Sequence, residues 1–228
     1  MSKPAGLLST SRGDEPSLVA WAKARDVTAP RLHPSSRLDR MVCGLVVFSR
    51  HTEANKVLLE ARKKGRYRRC YLALVHGRLS ADCGEWTFPI AIDPHNPSRR
   101  IVAPNGAAGF RNARTVFRCL DGSPSASAVL LKPHTGRTHQ LRVHASHATY
   151  PLLGDSMYGG KKQITLDDGS VLFAARPMLQ CAAIQIELAS RTLELSMDTA
   201  PDMVQLWSEL GHDSQALRFT PDWWEIDC

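Results

Sequence analysis

An aspartate between two arginines is the grouping in this sequence with the clearest chemical potential. Arg37 and Arg40 flank Asp39 within Ser36–Gly44, and the apolar run Leu45–Phe48 follows directly. A neighbouring positive charge favours the ionised form of a carboxyl group, so the arginines predict an ionised Asp39. An ionised carboxylate acts as a nucleophile or a base rather than as an acid catalyst. A surface loop with an ordinary Arg–Asp pair is the alternative that this segment alone leaves open.

A second segment, residues 134–145, concentrates hydrogen-bonding side chains. It contains two arginines, three histidines, two threonines and one glutamine within twelve residues. Burying so many polar groups costs free energy unless each one finds a partner. We therefore expect this segment to face a polar ligand or a buried carboxylate.

The positive charge of the chain is partly clustered, which favours a polyanionic partner. Lysine and arginine number 29 against 22 acidic residues, for a formal charge of +7. The densest run is Arg62–Arg69, with Tyr67 interleaved. A second group comprises Arg99, Arg100, Arg111 and Arg114. Basic clusters with an aromatic side chain are typical of a surface that binds a phosphate backbone, although a solvated helix end and loop would carry the same residues.

Length, hydropathy and cysteine spacing exclude several classes of protein. The 228 residues contain no apolar run long enough for a transmembrane helix, and the N-terminus lacks a secretory signal. The six cysteines form no CxxC pair, which indicates neither a zinc framework nor a disulfide scaffold and suits a reducing compartment. We expect a soluble cytoplasmic protein with no membrane partner, formed by a single domain over residues 1–228.

The elements that must position these residues can be predicted from caps and periodicity. Ser17 is placed to cap a helix from Leu18 to about Arg25. Thr52 could cap a second helix that ends at Gly65. The expected buried face of that helix carries Ala54, Val57, Leu58 and Ala61.

Strands and two further helices are predicted along the rest of the chain. Strand patterns occupy residues 45–48, 70–77, 113–119, 126–132, 172–175 and 182–188. A helix is expected to begin near Thr138, and a last one to cover Asp202–Leu210. Because strands and helices do not alternate regularly, the order favours an α+β fold, with a central mixed, mostly antiparallel sheet flanked by helices.

Five blocks of sequence, in order, carry a family resemblance. They read SRLDRMVCG, RCYLALVHG, TGRTHQLRVHA, PLLGDSMYG and RPMLQCAAIQI. Together they resemble the RluA-type family of RNA pseudouridine synthases over nearly the whole chain. The resemblance implies a pseudouridine-synthase-like catalytic domain with Asp39 at the base of a cleft across the sheet. We also expect a monomer and, as a departure from the family pattern, no appended RNA-binding domain.

The resemblance implies roles for individual residues. Asp39 corresponds to the catalytic aspartate of the family, Tyr71 to the active-site tyrosine against the target uracil, and Arg142 to the basic partner of the aspartate. Arg37 would help to displace the target base. The substrate-binding residues implied are Arg37, Arg40, Arg69, Arg137, Thr138, His139 and Gln140.

The implied reaction isomerises a uridine within tRNA or rRNA to pseudouridine. Asp39 would attack the anomeric carbon of the sugar or take a sugar proton to give a glycal, and the sequence leaves both pathways open. Tyr71 could stack on the base and help to remove the proton from its newly bonded carbon. The uridine must be extruded from its stack to reach Asp39. The reaction requires no cofactor and no metal.

The sequence departs from the family pattern at the aspartate turn and elsewhere. Ser36, Val42 and Cys43 replace a histidine, a threonine and a serine that the family usually has. Leu179–Cys181 replaces a Leu-His-Ala block, and Arg69 replaces a lysine. These departures motivate an alternative reading, in which the chain is an RNA-binding protein that kept the fold and lost catalysis.

Two other readings compete. One is a metal site built from His134, His139, His144 and His147, but their spacing matches no common zinc pattern. The other is a glycoside hydrolase with Asp39 and Asp155 as its carboxylate pair. That chemistry normally keeps one carboxyl group protonated, which the arginines beside Asp39 oppose.

Overall fold

The computed structural model describes residues 1–11, 13–26, 32–103, 109–166 and 168–225. The strands are β1 (Ser2–Lys3), β2 (His33–Pro34), β3 (Cys43–Leu45), β4 (Phe48–Ser49), β5 (Tyr67–His76), β6 (Cys83–Trp86), β7 (Ile90–Asp93), β8 (Asn96–Val102), β9 (Thr115–Gly122), β10 (Ala126–Pro133), β11 (Gln163–Thr165), β12 (Val171–Phe173), β13 (Leu179–Glu187) and β14 (Thr192–Ser196). The helices are α1 (Leu18–Arg25), α2 (Thr52–Lys63), α3 (Gln140–His147) and α4 (Pro201–Glu209). This composition confirms the α+β class.

The chain divides into two compact units, which are described separately. The first unit contains Met1–Arg69 and Gln180–Met197, and the second contains Cys70–Leu179 and Asp198–Cys228. Strand β5 starts in the first unit and continues into the second, whereas β13 starts in the second and continues into the first. The expectation that residues 1–228 form a single domain stays a prediction.

The sheet of the first unit is mixed. Strand β1 runs antiparallel to β3, which runs parallel to β13, and β13 pairs antiparallel with β14. The parallel pair sets Cys43 opposite Gln180 and Gly44 opposite Cys181. The predicted strand 45–48 is therefore two short strands, β3 and β4, and only β3 lies in this sheet. The aspartate turn leads directly into β3.

The two helices of the first unit begin close to the predicted residues. Ser17 caps α1, and its side chain accepts a hydrogen bond from the amide of Ala20 at 3.2 Å. Thr52 is the first residue of α2 rather than its cap, because the N-cap is His51. The predicted buried face of α2 included too many residues. Only Leu58 and Ala61 are buried on it, and Val57 is 52% exposed.

Gly44 is the position in this sheet where a side chain cannot be accommodated. Its φ is 120°, and a Cβ atom there would overlap the backbone oxygen and nitrogen of Cys181. We expect Gly44→Ala to lower the free energy of unfolding by about 3 kcal/mol or more, measured by urea denaturation. Gly65→Ala is the matched control, since Gly65 also has a positive φ but a Cβ atom there would meet no atom within 4 Å. Its loss should be only about 1–2 kcal/mol, and equal losses would contradict the packing argument.

The sheet of the second unit is antiparallel. Strand β10 pairs with β5 on one side and with β9 on the other, and β9 also pairs with β6. All residues of β10 from Ala126 to Lys132 are buried. Such a continuous buried strand is the centre of a core rather than its edge. A separate hairpin, β7–β8, carries Arg99 and Arg100.

Helices α3 and α4 belong to the second unit. Helix α4 begins at Pro201, within a residue of the prediction, and buries Met203, Leu206 and Trp207. In α3 the first six residues are all buried, including Arg142 and His144. A face pattern could not have predicted this, because no side of α3 is left to water over its first turn and a half.

The described cysteines are mostly buried thiols. Cys43, Cys70 and Cys181 are free and buried, and Cys119 is free and half-buried. Cys83 is disulfide-bonded, which the sequence did not predict, and Cys228 lies outside the described residues.

Among the described helices, none has the length and hydropathy needed to cross a bilayer.

Candidate active site

Asp39 lies on a tight turn in the first unit. The amide of Val42 donates to the carbonyl of Asp39 at 3.1 Å and closes the turn. Asp39 itself is half-buried, whereas the preceding Leu38 is buried. The carboxylate is therefore partly accessible to solvent, while the residue before it is packed in the interior.

Ser9 anchors the chain immediately before Asp39. Its Oγ accepts from the amide of Leu38 and donates to the carbonyl of the same residue, each at 2.9 Å. Ser9 is buried. One side chain therefore satisfies both backbone groups of Leu38, which fixes the approach to the turn.

Lys3 anchors the chain immediately after Asp39. Its ammonium is fully buried and donates to the carbonyl of Arg40 at 3.0 Å. The same ammonium donates to the carbonyls of Pro4 and Leu7 at 2.9 and 2.7 Å. A buried cation needs such partners, because an unpaired charge is very costly away from water. The backbone on both sides of Asp39 is therefore held by the N-terminal segment, a role the sequence did not predict.

The flanking arginines do not enclose Asp39. Arg40 donates through Nε to the carbonyl of Gly6 at 3.1 Å, and its Nη1 lies 3.9 Å from Glu15. Arg37 is exposed, and no described residue forms an ion pair with it. Both arginines present their charge to solvent beside the turn, and their effect on the ionisation of Asp39 stays a prediction.

The basic run 62–69 is divided between surface and interior. Tyr67 is buried, its hydroxyl lies 2.8 Å from the Oγ of Ser35, and burial raises the pKa of Tyr67. This tyrosine is therefore not available to stack on a base, contrary to the expectation for an interleaved aromatic residue. Arg69 is also buried, and Arg68 pairs with Glu187 at 3.1 Å. The positively charged side chains of the run that stay exposed start at the end of α2.

In the second unit, Gln140 organises the loop that precedes α3. Its Oε1 accepts from the hydroxyl of Thr135 at 2.7 Å and from the amide of Arg137 at 3.0 Å. Its Nε2 donates to the carbonyl of Arg114 and to the hydroxyl of Thr115, each at 3.0 Å. All four hydrogen-bonding positions of the amide are used within the protein. We therefore assign Gln140 to positioning this loop rather than to the direct RNA contact predicted for it.

Arg142 forms a buried ion pair with Asp155. Its Nε and Nη2 each donate to a carboxylate oxygen of Asp155 at 2.7 Å. The exposed fractions of the two side chains are 8% and 1%. The bidentate geometry fixes the guanidinium plane. The buried carboxylate expected opposite segment 134–145 is therefore Asp155, and the role of Arg142 as partner of Asp39 stays a prediction.

Tyr158 joins Arg142 and His139 into one cluster. The Cζ atom of Arg142 lies 4.8 Å from the centroid of the Tyr158 ring. The hydroxyl of Tyr158 accepts from the amide of Arg100 at 2.9 Å and lies 2.8 Å from Nδ1 of His139. The tyrosine can therefore donate its proton to Nδ1, which places the imidazole proton on Nε2. His139 also has a φ of 57°, a left-handed conformation that the cluster holds in place.

The other predicted residues of the second unit differ in exposure. Tyr71 is buried on β5, opposite Leu131 of β10. Arg137 and Thr138 are exposed, and the Nε of Arg137 donates to the carbonyl of Asn112 at 2.9 Å. Arg137 and Thr138 are thus accessible at the start of α3.

The histidines of segment 134–147 are held apart by their own contacts. His139 bonds to Tyr158, while Nε2 of His144 donates to the carbonyl of Phe88 at 2.9 Å. His147 packs edge-on against the ring of Phe88, with centroids 4.5 Å apart. In the described part of the chain, no three metal-ligating side chains come together.

His144 should make stability depend on pH. Burial lowers the pKa of His144 from 6.5 to about 4. Below the unfolded pKa the unfolded chain binds the proton more readily, so stability falls as the pH drops from about 6.5 towards 4, by up to about 3 kcal/mol. Urea unfolding at pH 7 and pH 5 would measure most of this loss. It should disappear in His144→Asn and persist in His147→Gln, and an unchanged slope in His144→Asn would contradict the assignment.

The ten predicted site residues fall into two groups. Arg37, Asp39, Arg40 and Arg69 lie in the first unit, and the other six lie in the second. The sequence analysis did not predict four further members of these groups, which are Lys3, Ser9, Asp155 and Tyr158. The block PLLGDSMYG, which contains Asp155 and Tyr158, was the available signal, although Asp155 was considered only for a hydrolase.

Comparison with known proteins identifies the family. The family model described as RNA pseudouridylate synthase matches residues 1–147. The RNA pseudouridine synthase YjbO of Bacillus subtilis is 38% identical over 132 residues, which cover 58% of this chain and 45% of that protein. The ribosomal large subunit pseudouridine synthase D of Xylella fastidiosa is 31% identical over 98% of this chain and 69% of its own length. The chain spans about half the length of several relatives that it matches.

Solved structures share the fold. Human RNA Pseudouridylate Synthase Domain Containing 4 superposes with a TM-score of 0.73 at 20% identity, over 92% of this chain and 88% of that one. Human RNA Pseudouridylate Synthase Domain Containing 1 gives a TM-score of 0.65 at 24% identity, over 88% and 86%. With the family match over residues 1–147, the chain belongs to the RNA pseudouridylate synthases, of the RluA type predicted from its sequence.

Proposed function

We propose that this protein isomerises a specific uridine in RNA to pseudouridine. The observation that carries the proposal is the family match over residues 1–147, which includes Asp39, Tyr71 and Arg142. The anchored turn supports it, since two buried side chains hold the backbone on either side of an accessible carboxylate. Holding a reacting group in one orientation is what a nucleophile or base requires.

The chemistry assigned to Asp39 is the cleavage step. Its carboxylate attacks the anomeric carbon, or removes a sugar proton to give a glycal, while the carbon–nitrogen bond to uracil breaks. The base then rotates, bonds to the sugar through carbon, and loses the proton from that carbon. Tyr71 is assigned to the face of the uracil and to this last proton transfer. The product has the same atoms as the substrate, so the reaction is balanced without an oxidant or reductant.

Ribosomal RNA is the first substrate to test. The relative that aligns over 98% of the chain carries the name ribosomal large subunit pseudouridine synthase D. We extend that substrate class to this chain as part of the proposal, with transfer RNA as the second class. The net charge of +7 supports binding to either.

Arg37 is proposed to contact the RNA, because it is exposed beside the Asp39 turn. We expect Arg37→Gln to weaken RNA binding and to lower the slope of log affinity against log salt by about 0.7–0.9, the value for one lost phosphate contact. Arg191→Gln is the control, since Arg191 is exposed outside the basic groups. Equal slopes for wild type and Arg37→Gln would argue against this contact.

A purified assay tests the proposed activity. The protein is incubated with ribosomal or transfer RNA transcribed without modification, and pseudouridine is quantified by nucleoside mass spectrometry. Formation of pseudouridine at one position would support the proposal. Tight RNA binding without any product on either class of RNA would favour the alternative, an RNA-binding protein that has lost catalysis.

A further inference from the structure

A serine, a histidine and an aspartate form a hydrogen-bonded network in the second unit. Nε2 of His212 lies 3.1 Å from the Oγ of Ser123, and its Nδ1 lies 3.0 Å from Oδ2 of Asp121. These distances are those of a nucleophile, its general base and the group that orients the base. The RNA chemistry proposed above does not use them.

The β9–β10 hairpin places the serine and the aspartate. Asp121 is near the end of β9, and Ser123 opens the turn to β10. The amide of Gly122 donates to Oδ1 of Asp121 at 2.7 Å, which leaves Oδ2 for the histidine. A register shift at Ala128/Val129 bends the hairpin close to this point, as bulges do where side chains must be re-aimed.

The end of α4 places the histidine. Gly211 has a φ of 85°, and the amides of Gly211 and His212 donate to the carbonyls of Ser208 and Trp207. This pair of bonds ends a helix with a fixed reversal of the chain. It stacks the imidazole on Trp207 at 3.9 Å between centroids, with 13° between the planes. The ring is therefore held in one orientation.

The proton of Ser123 has two acceptors within reach, Nε2 of His212 at 3.1 Å and the carbonyl of Ala126 at 3.4 Å, and the shorter bond points in the direction that catalysis needs. The carboxylate of Asp121 can only accept, so Nδ1 of His212 carries the proton and Nε2 accepts from Ser123. The hydroxyl of Ser125, 3.0 Å from the Oγ of Ser123, can then donate to that oxygen. In this arrangement one lone pair of the Ser123 oxygen is left to attack while its proton faces a base.

The site is accessible. Ser123 is half-buried and Ser125 is exposed. A cleft of about 180 Å³ lies beside Asp121 and Gly122 and is also lined by Arg78.

We propose that Ser123, His212 and Asp121 form a second catalytic site, of the serine-hydrolase type, which acts on carboxylic esters. The Oγ of Ser123 bonds to the ester carbonyl carbon as its proton passes to Nε2 of His212. The bond to the alcohol oxygen breaks, and His212 returns the proton to the departing alcohol. Water, activated by the same nitrogen, then releases the carboxylic acid and restores the serine.

The test uses the whole protein and two probes. Hydrolysis of p-nitrophenyl acetate is followed by absorbance, and a fluorophosphonate probe is located by peptide mass spectrometry. We expect the probe on Ser123, and we expect Ser123→Ala to remove both labelling and hydrolysis. His212→Gln should slow both at least about a hundredfold, the scale of a lost general base. Ser170→Ala is the control, because Ser170 bonds to the carboxylate of Asp168 without a histidine.

The outcomes separate catalysis from a structural role. If these three hydrogen-bonded residues only fasten α4 to the hairpin, the variants will lower the melting temperature. The wild type will then neither hydrolyse the ester nor accept the probe, and this result would overturn the proposal. Labelling of another residue, or labelling that His212→Gln leaves unchanged, would overturn it as well. Because unfolding of His212→Gln could remove reactivity, Ser123→Ala at an unchanged melting temperature provides the decisive comparison. Asp39→Asn should leave ester hydrolysis intact, so this test is independent of the proposed RNA activity.

Discussion

Asp39→Asn should abolish pseudouridine formation and leave RNA binding within a few-fold of wild type. The amide cannot act as a nucleophile or a base, so we expect a loss of at least about a thousandfold, as when other nucleophiles are removed. The backbone of the turn is held by Ser9 and Lys3 rather than by the carboxylate. Phosphate contacts from exposed arginines do not depend on it either.

Single-turnover kinetics on one RNA, with affinity from filter binding, would separate the two effects. Asp14→Asn is a matched control, because Asp14 is an exposed aspartate of the same unit. It should react at the wild-type rate. Wild-type turnover by Asp39→Asn would remove Asp39 from the mechanism, whereas parallel losses of turnover and affinity would mean that the carboxylate acts in binding.

Arg142→Ala should produce the largest loss of stability among the site variants. Asp155 is 1% exposed and would be left with a buried charge and without its bidentate partner. Removing one member of a buried pair costs about 3–5 kcal/mol. The variant would also lose the contact between the guanidinium and the ring of Tyr158, so activity should fall with stability.

Arg114→Ala is the matched control for this loss. Arg114 and Glu85 share the same 2.7 Å separation, but their side chains are 50% and 48% exposed. An exposed pair contributes only about 0–1 kcal/mol, so the control should unfold close to wild type. The double variant Arg142→Met with Asp155→Leu should be more stable than Arg142→Ala, because no charge is left unpaired. Similar unfolding free energies for Arg142→Ala and Arg114→Ala would contradict the burial argument.

The parts of the fold that were predictable depend on local sequence. Ser17 as a cap and Pro201 at a helix start fix α1 and α4 to within a residue. The α+β class followed from the irregular order of strands and helices. The five family blocks indicated the family, because several ordered motifs are far more specific than one.

The errors share one physical cause, which is that partners of charged and polar side chains are chosen over long sequence separations. Arg40 was expected to favour the ionised form of Asp39, but its guanidinium group contacts Gly6 and Glu15, which folding brings close. Tyr67 looked like an exposed aromatic within a basic run, yet it lies in the interior against Ser35. Nothing in the neighbouring residues records these contacts.

The site residues of the second unit also include contacts that could be predicted from the sequence and contacts that could not. The density of polar groups in segment 134–145 predicted a polar ligand or a buried carboxylate, and Asp155 is such a carboxylate. The sequence could not show that Gln140 uses its whole amide within the protein. Its partners Thr115 and Arg114 come from a strand and its approach, about 25 residues earlier in the chain.

Mapping of pseudouridines in cells tests the central claim most directly. RNA from a strain lacking the gene is treated with carbodiimide and read by primer extension, with complementation by wild type, Asp39→Asn or Asp14→Asn. The account predicts one uridine in ribosomal or transfer RNA whose modification requires the gene, is restored by wild type and by Asp14→Asn, and is not restored by Asp39→Asn. An unchanged modification map, or full restoration by Asp39→Asn, would contradict it.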